Sequence, residues 1–210
     1  MTFIESETIE LKSSVVADLC KEVIAFANTK GGTLYIGVED NGTVIGVDSA
    51  DRVTLQINNM VRDSIKPDIT MFVHYETQVI DDKQIIAVTV QEGTDRPYYL
   101  GSKGLKPSGV YVRNGTSTDP TSDTAIRKMI KETDGDSFET MRSLEQNLSF
   151  QTAEAQFAKR KVPYDAAKMQ SLGMVSSDGI YSNVALLLSE QCPNTIKAAT
   201  FAGVDQSVFQ

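Results

Sequence analysis

A chain of 210 residues with 40% hydrophobic and 23% charged residues can bury a sizeable core and carry one domain plus a smaller second one. Its two cysteines, Cys20 and Cys192, lie far apart without CxxC spacing, which argues against a disulfide framework or a zinc site, and no run of about 20 apolar residues or basic leader points to a membrane or to export. A cytoplasmic protein with no membrane partner is expected. The net charge of −8 argues against a nucleic-acid binder that works by overall charge, because phosphate contacts come from Lys and Arg.

In chain order, residues 8–12 read as a strand, with Glu10 and Lys12 on one face. Ser13 or Ser14 then caps a helix over 14–28, in which Val15, Leu19, Val23, Phe26 and Ala27 share a face and Cys20 is a core thiol. Gly31 supplies its left-handed end. Leu34, Ile36 and Val38 alternate as a strand, Asp40-Asn41-Gly42 is a tight turn, and residues 44–47 return antiparallel. A second helix spans 49–65 from the cap Ser49 and is stopped by Lys66-Pro67. Residues 71–77 and 84–90 read as strands joined at Asp81-Asp82. Two short strands follow at 96–100 and 109–113, and then a helix capped by Thr121 or Ser122, with Ile126, Met129 and Ile130 inward. A boundary at 134–137 divides the chain into 1–134 and 135–210. Beyond it, 152–161, 165–172 and 184–190 read as short helices, and 196–201 as a strand on which the chain breaks off as part of a longer protein would. The fold class is α+β: a mixed, mainly antiparallel sheet flanked by helices, with a smaller, mostly helical C-terminal appendage.

Three motifs in order carry a resemblance: ESETIELK at 5–12, VIAFANTKGGTLYIGVEDNGTVIGV at 23–47 and GVYVRNG at 109–115. Together they resemble the Schlafen-type AlbA-like domain over roughly 3–133. In bacteria that domain opens transcriptional regulators and RecG-like helicase-related proteins, so the resemblance implies a nucleic-acid-binding module, DNA rather than RNA, and is compatible with a homodimer. In animal Schlafen proteins that cut RNA, two glutamates five positions apart and a later aspartate form the active site. Glu5 and Glu10 have that spacing, and the aspartate falls at Asp40 or at its neighbours Glu39 and Asp48. Grouped carboxylates suit Mg²⁺ or Mn²⁺, so the resemblance also admits a metal-dependent endoribonuclease with Glu5, Glu10 and Asp40 as ligands and catalytic groups. The plainer alternative is an acidic strand edge with Lys12 pairing Glu10.

The charge is unevenly placed. Residues 96–133 hold seven basic against three acidic side chains, a net +4 that leaves −12 on the rest. Lys12, Arg96, Tyr98, Lys103, Lys106 and Arg113 are the candidate nucleic-acid contacts: cations for phosphates, a tyrosine ring for stacking and glycines at 101, 104 and 109 for close approach. Gly31-Gly32, beside Asn28 and Thr29, could receive a phosphate or could serve only a tight helix-to-strand passage; without GxxxxGK[ST] it is no P-loop. His74, the one histidine, has no triad partner. A third reading, favoured by the acidic balance, is a protein-interaction domain that touches no nucleic acid.

Overall fold

The computed structural model describes residues 3–135 and 137–195. The strand expected at 196–201 lies outside the described residues. Strand β1 (Ile9–Lys12) runs parallel to β2 (Gly32–Ile36), with helix α1 (Leu19–Ala27) as the crossover between them. Helix α2 (Ala50–Ser64) follows, then the two-residue β3 (Ile65–Lys66) and the long hairpin of β4 (Val73–Ile80) and β5 (Lys83–Val90). β5 returns antiparallel to β2, so the main sheet has the order β1-β2-β5-β4. The hairpin turns at Asp81 and Asp82, both at positive φ (49° and 58°), the backbone that two-residue turns demand.

Alternation on the strands divides the apolar side chains between two layers. Leu34, Ile36, Ile86 and Val88 face α1 and α2 and bury against Leu19, Val23, Phe26, Ile57 and Val61, all at 0% exposure. Each such side chain is worth about 1.5–3 kcal/mol. On the opposite face Leu11 and Ile85 are covered by Phe3 and by Val38 at the start of the 38–44 turn.

Helix α1 begins at Leu19, several residues after the expected cap at Ser13 or Ser14. The end of β1 explains the delay. The Lys12 carbonyl accepts from the Gly37 and Val38 amides (2.8 and 3.2 Å), which fixes the chain on the sheet there, and residues 13–18 must then climb to the helical layer before a helix can start. At the other end Gly31 takes φ 77° and donates to the Phe26 carbonyl (2.9 Å). A Cβ on Gly32 would lie 2.5 Å from the Phe26 ring and 2.8 Å from the Thr8 carbonyl. The paired glycines therefore answer to steric need, the tight passage from helix to central strand. Cys20 is buried, and burial pushes its thiol pKa up.

Strand β6 (Tyr99–Leu100) pairs with β3, and β7 (Tyr111–Asn114) forms a hairpin with β8 (Ser117–Pro120). β8 is absent from the sequence reading because Ser-Thr-Asp-Pro has no apolar alternation; the turn at Gly115 (φ 60°) folds it onto β7. Helix α3 (Asp123–Asp134) starts at Ser122, whose hydroxyl accepts from the Ala125 amide (3.2 Å). Ile126 and Ile130 of α3 bury against Tyr99, Leu105 and Val110.

Beyond residue 137, α4 (Gln151–Lys159), α5 (Ala166–Ser171) and α6 (Asn183–Leu188) surround Phe150, Ala153, Met174 and Ala185. Arg142 joins this part to the first. Its guanidinium grips Asp134 at the end of α3 (3.1 Å) and donates to the Asp95 and Arg96 carbonyls. Glu190 closes the helical part by accepting from the Thr152 amide (2.7 Å) and the Ser149 hydroxyl (2.9 Å), and these bonds lower its carboxyl from the ordinary 4.5 to about 2. A depressed carboxylate stabilises above its unfolded pKa and loses that contribution as the pH falls through the folded value. Unfolding of residues 137–195, followed by amide resonances from pH 5 to 2, should therefore ease progressively below about pH 4.5, and Glu190→Gln should flatten that dependence. An unchanged profile in the variant would show that Glu190 does not hold the closure.

No helix among the described residues is long and apolar enough to cross a membrane.

Candidate nucleic-acid interface

The loop that follows β6 is a built shape. The Leu100 carbonyl accepts from the Lys103 and Gly104 amides (2.9 and 3.0 Å), and the Lys106 carbonyl accepts from Gly109 and Val110 (2.8 and 3.1 Å). Leu105 anchors the loop in the pocket of Tyr99, Val110, Ile126 and Ile130, and a Cβ on Gly109 would meet the Gly104 carbonyl at 2.2 Å. Lys103 and Lys106 stand on either side of that anchor, both exposed, with no ion pair among the described residues. Two cations are thus carried on a well-held backbone and left open to a phosphate.

A second constellation is buried and serves cohesion. The Arg113 side chain, 1% exposed, reaches from β7 under α1 to β1. It donates to the Ser6 and Ile9 carbonyls (2.9 and 3.2 Å) and lies 2.7 Å from Glu10 Oε2 and 3.3 Å from Glu22 Oε2, with its guanidinium 5.1 Å from the centre of the Phe26 ring. Lys12 closes on the other oxygen of Glu10, and the Thr118 hydroxyl donates to Glu22. Burial pushes the Glu22 carboxyl up, reinforced by the Glu10 charge and opposed by Thr118, Lys12 and Arg113. Lys12 moves up as well: burial works against its charge, but the Glu10 hydrogen bond and the Glu10, Glu22 and Glu5 charges prevail. The buried Arg113 and the half-buried Lys12 compensate the two carboxylates, as charges taken out of water must.

The family model described as Schlafen, AlbA_2 matches residues 5–122, more than half of the chain. The chain belongs to the Schlafen AlbA_2 family. Among solved structures, a Corynebacterium diphtheriae protein is similar at 17% identity and TM-score 0.46, over 87% of this chain and 39% of that one. The N-terminal domain of a Nitrosomonas europaea protein related to the ATP-dependent DNA helicase RecG is similar at 28% identity and TM-score 0.42, over 54% of this chain and 82% of that one. No curated protein matches the chain.

Within this AlbA_2 domain the expected site residues separate into groups. Lys103 and Lys106 are exposed together. Arg96 is partly exposed and paired with Glu92 at 2.8 Å, and Lys12 is engaged by Glu10. Tyr98 and Arg113 are corrections to the expected contact surface. Tyr98 is 0% exposed, its ring held against Gly93, where a Cβ would lie 2.0 Å away, so no face is left on which a base could stack. Arg113 has its donors turned inward to Ser6, Ile9, Glu22 and Thr118. His74, expected inside the strand pattern, is an exposed residue of β4.

The metal set is a correction too. Glu10 is 6% exposed and neutralised by Arg113 and Lys12, Glu5 accepts from the Leu11 amide at 3.4 Å, and Asp40 stands exposed at the 38–44 turn. Among the described residues no three His, Cys, Asp or Glu side chains gather as a cation requires. These residues do not fit a Mg²⁺ or Mn²⁺ ion.

Two partners escaped the sequence reading. Glu22 is a lone carboxylate in the apolar helix LCKEVIAFA, which is the signal that could have paired it with a buried cation. Asn28 holds the AlbA_2 domain together: its carboxamide donates to the Tyr98 and Tyr111 carbonyls (both 2.9 Å) and accepts from the Tyr98 amide (2.7 Å).

Proposed function

We propose that this chain is a nucleic-acid-binding module that grips phosphates through Lys103 and Lys106 on the 101–110 loop, with DNA as the first substrate to try. The observation that carries the reading is the pair of uncompensated lysines fixed beside Leu105 in a protein of net charge −8. Membership of the Schlafen AlbA_2 family supports association with nucleic acid. A local cationic patch on an acidic chain binds weakly and with little sequence information, because backbone contacts position a protein without reading bases. Direct binding of labelled DNA and RNA oligonucleotides at 50 mM salt tests it, using the wild type and Lys103→Glu/Lys106→Glu. Binding should fall at least about tenfold in the double variant, because both phosphate contacts become repulsive. Equal affinity of the two proteins would remove the loop from any nucleic-acid role.

A further inference from the structure

The basic loop does not stand alone. A cleft of about 500 Å³ separates residues 101–106 from residues 144–147, which belong to the part of the chain beyond the family match. Lys103 and Lys106 stand on one wall; Leu144, Glu145 and Asn147 form the other. Leu144 is half-buried against the Leu105 cluster, and Gln146 is fixed by three bonds, donating to the Ser143 and Tyr181 carbonyls (2.7 and 2.9 Å) and accepting from the Tyr181 amide (2.8 Å). The second wall is therefore as firmly placed as the first. Over the loop, Gly104 takes φ 79° and nothing lies within 4 Å of where its Cβ would be, so a phosphate could approach the backbone there.

We infer that this cleft is a single-strand channel: one phosphodiester strand lies along Lys103 and Lys106 while residues 144–147 confine its other side. The inference rests on the proposed nucleic-acid reading and deepens it. A volume of about 500 Å³ is that of a small-molecule pocket, room for a nucleotide or two. A duplex places two nucleotides at every step, so the single strand is the better fit to that volume. Glu145 is exposed on the second wall, its carboxylate accepting from the Asn147 amide (2.8 Å), so it opposes the phosphates and limits affinity. The channel thus combines an attractive wall with a repulsive one, and the repulsive one is contributed by the appendage.

The test uses the full chain and a fluorescein-labelled thymidine 15-mer, read by anisotropy, beside a duplex of the same length. Glu145→Lys should tighten binding of the single strand about fivefold and steepen the salt dependence by about 0.7 in log–log slope, one added phosphate contact. Glu154→Lys, an equal charge change on the exposed surface of α4, serves as control and should change single-strand affinity less than twofold. Asn147→Glu should add a second carboxylate to the cleft and weaken the single strand at least fivefold while leaving the duplex unaffected. Equal gains from Glu145→Lys and Glu154→Lys, or no loss in Asn147→Glu, would overturn the channel even if Lys103→Glu/Lys106→Glu still abolishes binding. A double lysine variant that binds like wild type would overturn the nucleic-acid reading itself.

Discussion

Arg113→Ala is expected to cost about 3–5 kcal/mol of stability, the scale for removing one partner from a buried ion pair. The reason is what it leaves behind. Glu10 and Glu22 stay largely buried with Lys12 and the Thr118 hydroxyl to balance them, and the Ser6 and Ile9 carbonyls lose their donor. Because Arg113 bridges β7, α1 and β1, the loss falls on the contact between the hairpin and the sheet. Urea unfolding of the variant and of wild type measures it. Adding Glu22→Gln should recover part of the loss, since Lys12 and Glu10 then remain as a neutral pair. A cost below about 1 kcal/mol would show that the cluster is hydrated and that Arg113 is free to serve a surface role.

Asn28→Ala is the second large effect, about 2–5 kcal/mol, because three backbone groups lose their partners in a residue that is 4% exposed. Each unsatisfied buried polar group costs about 1–3 kcal/mol, and relaxation recovers some of the sum. Asn28→Asp separates the hydrogen bonds from the volume. The carboxylate keeps the shape and still accepts from the Tyr98 amide, but it places negative charge against the Tyr98 and Tyr111 carbonyls. It should therefore be destabilised by an amount comparable to alanine. If Asn28→Asp unfolds at the wild-type urea concentration, the carboxamide bonds do not hold α1 to β6 and β7.

The parts of this fold that could be read from residue order are those set by local chemistry. Alternation in Leu34-Tyr35-Ile36 and in residues 84–90 marks strands, and the cap Ser49 with the stop at Lys66-Pro67 bounds α2 within a residue. Asp81-Asp82 and Asp40-Asn41-Gly42 mark turns because few residues tolerate the backbone required. What residue order conceals is set by distant partners. Arg113 and Lys103 look alike in a basic segment; only the approach of Glu10, Glu22 and two carbonyls from elsewhere turns one of them inward. Tyr98 and Asn28 lie 70 residues apart, and neither shows in isolation that the pair is buried and bonded. The delayed start of α1 has the same origin, since Gly37 and Val38 fix the end of β1 from across the sheet. Of the candidate contacts, Lys103 and Lys106 could be read because their exposure follows from a local loop anchored at Leu105; the facing wall at 144–147 could not, because docking of Met141 and Leu144 brings it there.

The same distinction bears on chemistry. A carboxylate that neutralises a buried arginine cannot also bind a hard cation without unpairing it, so the spacing of Glu5 and Glu10 alone does not make a metal site.

The central claim, that the chain holds phosphates on the 101–110 loop, is tested most directly by the salt dependence of single-stranded DNA affinity in wild type and in Lys103→Ala/Lys106→Ala, measured between 50 and 200 mM NaCl. Each phosphate contact contributes about −0.7 to the log–log slope for a single strand. The slope should therefore become shallower by about 1.4 in the double variant, with affinity lower at every salt concentration. Parallel lines with the same slope would mean that neither lysine touches a phosphate, and would contradict the claim.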